Sequence, residues 1–143
     1  PTHLSSDMPW AEDRVGHDRI EGAYAYKKLL AQNGWIPLGT DFPVEDISPI
    51  KTFYAAVFRS KPENINAPAY LTEDALTREE ALRGITIWAA MSNLEDEEKG
   101  SLEIGKKADF VILNLDLMKT AQEKFKDIEV VSTFVNGEEV YSN

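Results

Sequence analysis

Near residue 94 the hydrophobic pattern of this chain changes period, and that change narrows the folds open to it. Before it, apolar residues recur three and four apart, as on the buried stripe of a helix; after it they come in short β-rich runs. Such a chain is of the α/β class, with helices and one extended segment first and a small β unit last. The β unit carries the sharper signals. Val130 to Val135 and Glu138 to Tyr141 flank Asn136-Gly137, a dipeptide that supplies both positive-φ residues of a type I′ hairpin turn. Asp109-Phe110-Val111-Ile112-Leu113 reads as a buried strand, and Ser101-Leu102-Glu103-Ile104 alternates as an extended segment does. No internal repeat is visible.

In the first part, residues 1–17 are punctuated by Pro1, Ser5, Ser6, Asp7, Pro9 and Gly16 and read as a loop. Asp18 can cap a helix running to Gln32 and closed by Asn33-Gly34, with Ile20, Ala23, Tyr26, Leu29 and Leu30 on its buried face. Trp35-Ile36-Pro37-Leu38 reads as a short strand, with Pro37 at its first residue or at a bulge because proline offers no ladder donor. Pro49 suits the first turn of a helix over Ile50 to Arg59, whose apolar side is Phe53, Tyr54, Val57 and Phe58. Residues 60–71 look irregular. Thr77 and Glu80 have capping-box spacing for a helix reaching Met91 and ended by Asn93. Gly84 lies inside that helix at a cost of up to ~1 kcal/mol relative to Ala, which implies a close approach by a neighbouring segment. The run Glu95-Asp96-Glu97-Glu98 reads as a solvated link.

The stretch with most chemical content is Gly39-Thr40-Asp41-Phe42-Pro43-Val44-Glu45. Gly39 and Pro43 punctuate the exit from the short strand, so Asp41 is held in a rigid turn at a strand's carboxyl end, the rim where α/β folds gather catalytic groups. Two readings are open: a functional carboxylate, or a turn aspartate bonded to its own backbone. A second candidate region holds His3, Asp7, Trp10, Asp13 and Arg14. It reads as a binding surface, or as a solvated loop with Trp10 tucked into the core.

Composition removes several functions. A net charge of −10 without a Lys/Arg cluster disfavours nucleic acid and anionic membrane surfaces. No apolar run approaches the roughly 20 residues of a membrane span. With no cysteine and two histidines, His3 and His17, the chain lacks the ligands of a closed zinc site. His17 reads as a surface or helix-start residue. The opening Pro1-Thr2-His3, without an initiator methionine, reads as a cut inside a longer protein.

These stretches together resemble the C-terminal part of a metal-dependent amidohydrolase of the family 3 branch, which includes the N-substituted formamide deformylases. Pro1-Thr2-His3, Ser6-Asp7-Met8-Pro9-Trp10-Ala11 and Arg14 resemble that family's loop after the seventh barrel strand. Gly22-Ala23-Tyr24-Ala25-Tyr26 resembles its next helix, Gly39 to Glu45 its eighth-strand motif, and Leu76 to Leu82 a later helix. Gly100 to Phe110, including Gly105-Lys106-Lys107-Ala108-Asp109, resembles the passage from the barrel into a β-sandwich.

The resemblance implies an architecture and a chemistry. Residues 1–93 would be the end of a (β/α)8 TIM barrel, and residues 94–143 a segment of a composite β-sandwich. Asp41 would contact a divalent metal, with zinc the expected ion, and carry the proton in hydrolysis of a non-peptide C–N bond. His3, Asp7, Trp10 and Arg14 would bind the small-molecule substrate. The family's upstream histidine ligands lie outside this chain, so the segment alone is expected to be inactive and to hold no metal. Its partner would be the rest of the barrel, or another copy of itself, in the cytoplasm. Two further readings stand beside this one: a non-catalytic binding or assembly module derived from the same fold, and a relative with deaminase or lactonase chemistry.

Overall fold

The computed structural model describes residues 1–143, a mixed α/β chain of seven short α-helices followed by one antiparallel sheet. Residues 1–17 are not one loop: α1 (Thr2–Asp7), α2 (Ala11–Val15) and the start of α3 (His17–Ile20) are successive helical turns. Leu4, Ala11 and Ile20 are buried and give these turns a core-facing side. Pro9 and Gly16 separate the turns, as their punctuation implies. The helix expected from Asp18 is cut in two. Tyr24 takes a left-handed φ of 53°, and α4 (Tyr26–Asn33) starts after it. Gly34 ends α4 in the left-handed conformation, and its N–H donates to the Leu30 carbonyl at 2.8 Å. Leu30 is buried but Leu29 is half exposed, so the apolar stripe is narrower than its spacing suggests.

Trp35 to Leu38 forms no strand, because no neighbouring strand is there to pair with it. Its anchor is a single backbone bond, Leu38 N–H to the Gly84 carbonyl at 2.9 Å, together with the buried Leu38 side chain. α5 (Pro49–Phe58) follows the expectation closely: Ser48 accepts from Lys51 N–H, Pro49 sits in the first turn, and Phe53, Tyr54, Ala55 and Ala56 are buried. The capping box of Thr77 and Glu80 is formed at the start of α6 (Arg78–Ile85). The helix does not reach Met91 unbroken. Thr86, at φ −125° and ψ −100°, separates α6 from α7 (Ile87–Ser92), and its hydroxyl donates to the Leu82 carbonyl. Such a bond to the preceding turn competes with the helical ladder.

β1 (Phe110–Leu113), β2 (Val130–Val135) and β3 (Glu138–Ser142) form the sheet in the order β1-β2-β3. Asn136 at φ 52° and Gly137 at φ 83° make the expected hairpin turn. Phe110 pairs with Phe134, and their rings stack at 4.5 Å. β1 is not buried as its apolar run suggested: Val111 and Ile112 are about half exposed, because the sheet has no layer over them. Ser101 to Ile104 forms no strand, and Leu102 and Ile104 stand in solvent.

The core crosses the change of pattern at residue 94. Phe125, in the 3-10 turn Gln122–Asp127, packs on Phe53, Tyr54 and Phe58 with ring centroids 5.8, 5.6 and 5.3 Å away. Arg78 lies over the Phe58 and Phe125 rings and donates to the carbonyls of Leu117 and Thr120. No helix is long and apolar enough to cross a membrane.

Candidate functional site

Side chains of Thr2, Ser5 and Ser6 fasten α1 to its surroundings, beside a bond from Tyr24 to Asp7 at its end. Thr2 Oγ1 donates to the Thr40 carbonyl at 3.3 Å, and Ser6 Oγ donates to the Glu45 carboxylate at 2.7 Å. Both ends of the Gly39–Glu45 turn are thus tied to one helical turn. Ser5 Oγ, on the buried side, donates to the Ser60 carbonyl at 3.0 Å.

Asp41 has a left-handed φ of 59°, a conformation that short polar side chains tolerate better than most. Its carbonyl accepts from the N–H groups of Val44 (2.9 Å) and Glu45 (3.2 Å), and Phe42 N–H donates to Thr40 Oγ1. The turn is therefore held by main chain and Thr40, while the Asp41 carboxylate makes no bond to its own backbone. That carboxylate faces α1 instead. Asp41 Oδ2 lies 3.4 Å from His3 Nε2, with the side chains 55% and 43% exposed. The pair comes from two segments that meet only because α1 is fastened across the turn, and both groups remain open to a reactant.

The other sequence candidates lie further along. Asp7 Oδ2 accepts from the Tyr24 hydroxyl at 2.7 Å. Burial, then this bond, raises the Tyr24 phenol above its ordinary pKa. Trp10 is not in the core: it is half exposed, with the Arg14 guanidinium 5.9 Å from its ring centroid, within cation–π range. No hydrogen bond or ion pair links Asp7, Trp10 or Arg14 to Asp41. His17 begins α3 on the surface and pairs with Glu12 at 2.9 Å, which raises its pKa.

Sequence reasoning missed Tyr24, the Ser6–Glu45 tie and Arg59. The helical spacing of residues 18–32 places Tyr24 inside one continuous helix, which conceals its role at a turn. Arg59 is fully buried at the end of α5, and an arginine after an apolar helical face carries no local sign of that.

A divalent ion would find His3 and Asp41 as donors here, but no group of three or more His, Cys, Asp or Glu gathers anywhere in the chain. A catalytic zinc takes about three protein ligands. His3 and Asp41 are thus two of the donors such an ion would need.

A family model described as the amidohydrolase family matches residues 1–141. The putative amidohydrolase YtcJ of Bacillus subtilis is 30% identical over 99% of this chain and 27% of its own length. The protein LONG AFTER FAR-RED 3 of Arabidopsis thaliana is 34% identical over 99% of this chain and 24% of its own length. The N-substituted formamide deformylase of Arthrobacter pascens is 31% identical over 90% of this chain and 22% of its own length. The chain thus spans about a quarter of the length of these relatives.

Proposed function

The chain belongs to the amidohydrolase family, and from that premise we propose that it is the C-terminal part of a hydrolase cleaving a non-peptide C–N bond of a small molecule. The observation that carries the reading is the convergence of Asp41 and His3, half-exposed and 3.4 Å apart, on a turn bound to α1 at both ends. Residues 1–93 are assigned to the end of the barrel and residues 94–143 to the β-sandwich, in a full-length protein of the deformylase-like branch.

In this reading the Asp41 carboxylate is the proton carrier. Water oxygen bonds to the carbonyl carbon as Asp41 accepts its proton; the C–N bond then breaks as the same proton passes to the leaving nitrogen. A left-handed turn fixed by main-chain bonds sets the direction in which the Asp41 side chain leaves the backbone. His3 stands where it can donate to the developing oxyanion or to the substrate carbonyl. Asp7, Trp10 and Arg14 are assigned to substrate binding. A divalent metal, with zinc the expected ion, would acidify the water in the full-length protein, and its remaining ligands would come from outside this chain. The segment alone is accordingly assigned no activity.

The test is Asp41→Asn in the full-length protein, with steady-state kinetics on a panel of formamides and other amides and metal content measured in parallel. Asn keeps the size but cannot accept and return a proton. The expected fall in kcat is about 10²–10⁴-fold, the usual worth of general acid–base catalysis. Near-normal kcat at full metal occupancy would reduce Asp41 to a turn residue.

A further inference from the structure

Arg59 is the one fully buried guanidinium; it forms no ion pair, and the Asp74 and Glu73 carboxylates act on it only from a distance. Burial lowers its pKa, so the chain holds this charge in place at a cost. Its bonds go to main-chain carbonyls. Nε donates to Tyr70 O and Nη1 to Tyr24 O, each at 3.0 Å. The Arg59 carbonyl accepts from Tyr70 N–H at 3.0 Å, and the guanidinium lies 5.1 Å from the Tyr26 ring centroid. Nη2 has no acceptor within the chain.

These contacts gather three left-handed residues: Tyr24 at φ 53°, Arg59 itself at φ 55°, and Leu71 at φ 50°, next to Tyr70. Backbone in this region persists only where its surroundings over-determine it. Tyr24 is the informative member. Its carbonyl is held by Arg59, while its hydroxyl donates to Asp7 Oδ2 on α1. The next residue after Arg59, Ser60, accepts from Ser5 on the same helix. The guanidinium therefore stands behind α1, the element that carries both His3 and Asp7.

We propose that Arg59 is a positioning residue: it pins Tyr24, whose hydroxyl fixes Asp7 and the α1 turn against the substrate side of the site. Tyr24 occupies Asp7 Oδ2, which leaves Oδ1 to accept from a substrate N–H. The inference rests on the assignment of Asp7 to substrate binding made above. It predicts an effect on substrate affinity rather than on proton transfer.

The experiment uses the full-length protein with Tyr24→Phe, Arg59→Lys, Arg59→Met and the double variant Tyr24→Phe/Arg59→Met. Tyr24→Phe keeps the ring and the carbonyl but loses the bond to Asp7. Its KM should rise about tenfold, the worth of one hydrogen bond to a charged group, with kcat changed by no more than about twofold. Arg59→Met should raise KM at least as far, the double variant no further, and Arg59→Lys should recover part of the loss because the ammonium can still donate to one of the two carbonyls. Hydrogen exchange supplies a readout independent of catalysis: Tyr24→Phe should speed exchange at residues 2–8, while the hairpin at residues 130–142 stays as protected as before. If no amide is turned over by the unaltered protein, the hydrolase reading fails and the exchange result still decides this one. Unchanged KM and unchanged exchange at residues 2–8 in Tyr24→Phe would overturn the proposal. So would additive effects in the double variant, or a loss of protection spread evenly over the chain in Arg59→Met with Tyr24→Phe silent.

Discussion

Replacing Gly84 by Ala tests how the segment leading to Asp41 is held. A Cβ built at Gly84 falls 2.6 Å from Leu38 Cγ, 2.7 Å from Leu38 Cδ1 and 3.3 Å from the Ile36 carbonyl oxygen. The first two contacts are too short to persist, and Leu38 is buried, so it cannot rotate away into solvent. The third is to backbone. Against this, Ala gains up to ~1 kcal/mol in helix propensity over Gly. Overpacking of a filled core typically costs about 1–3 kcal/mol, so the net expectation is a loss of up to about 2 kcal/mol and no net gain. The bond from Leu38 N–H to the Gly84 carbonyl also weakens if the segments separate.

The assay is urea denaturation followed by tryptophan fluorescence, on Gly84→Ala, Leu38→Ala and the double variant. Leu38→Ala alone should cost about 2–5 kcal/mol through the cavity it leaves. The double variant should be more stable than the sum of the two losses by at least about 0.5 kcal/mol, since the new methyl occupies part of that cavity. Gly84→Ala that stabilises by its full helix propensity, or losses that simply add, would refute the reasoning. Because Leu38 leads directly into Gly39, the same substitution in the full-length protein should also lower kcat by displacing the Asp41 turn.

Thr77→Ala should destabilise by about 1 kcal/mol, the usual worth of an N-cap, as it leaves the Glu80 N–H unpaired; thermal melts that match the unaltered chain would count against the cap. His17 should titrate above its ordinary value of 6.5 because protonation strengthens its bond to Glu12. That contribution is present below the unfolded-state pKa and fades as pH rises through the folded-state one; an NMR titration in which Glu12→Gln leaves His17 unmoved would contradict it. The isolated chain, with Leu102 74%, Ile104 108% and Val140 60% exposed, should bind a hydrophobic dye or self-associate. A compact monomer by scattering that binds no dye would show that this surface needs no cover.

What could be read directly from the residues were the features decided within a few positions of one another. The capping box of Thr77 and Glu80, the Pro49 start of α5, the Gly34 stop of α4 and the Asn136-Gly137 turn all form as their local chemistry requires. The close approach at Gly84 was also legible, because a glycine inside a helix is costly without one. The family, too, was in the motifs, in their order along the chain. Tertiary structure decided the rest, for two physical reasons. Strand formation needs a partner: Trp35 to Leu38 and Ser101 to Ile104 have strand-like patterns but find none in this chain, so neither forms a strand. And the meeting of side chains distant in sequence depends on how segments dock. His3 comes to Asp41 only because Thr2 and Ser6 fasten α1 across the turn. Arg59 is sealed from water only because the Tyr24 and Tyr70 loops close over it, and no spacing of residues announces that closure.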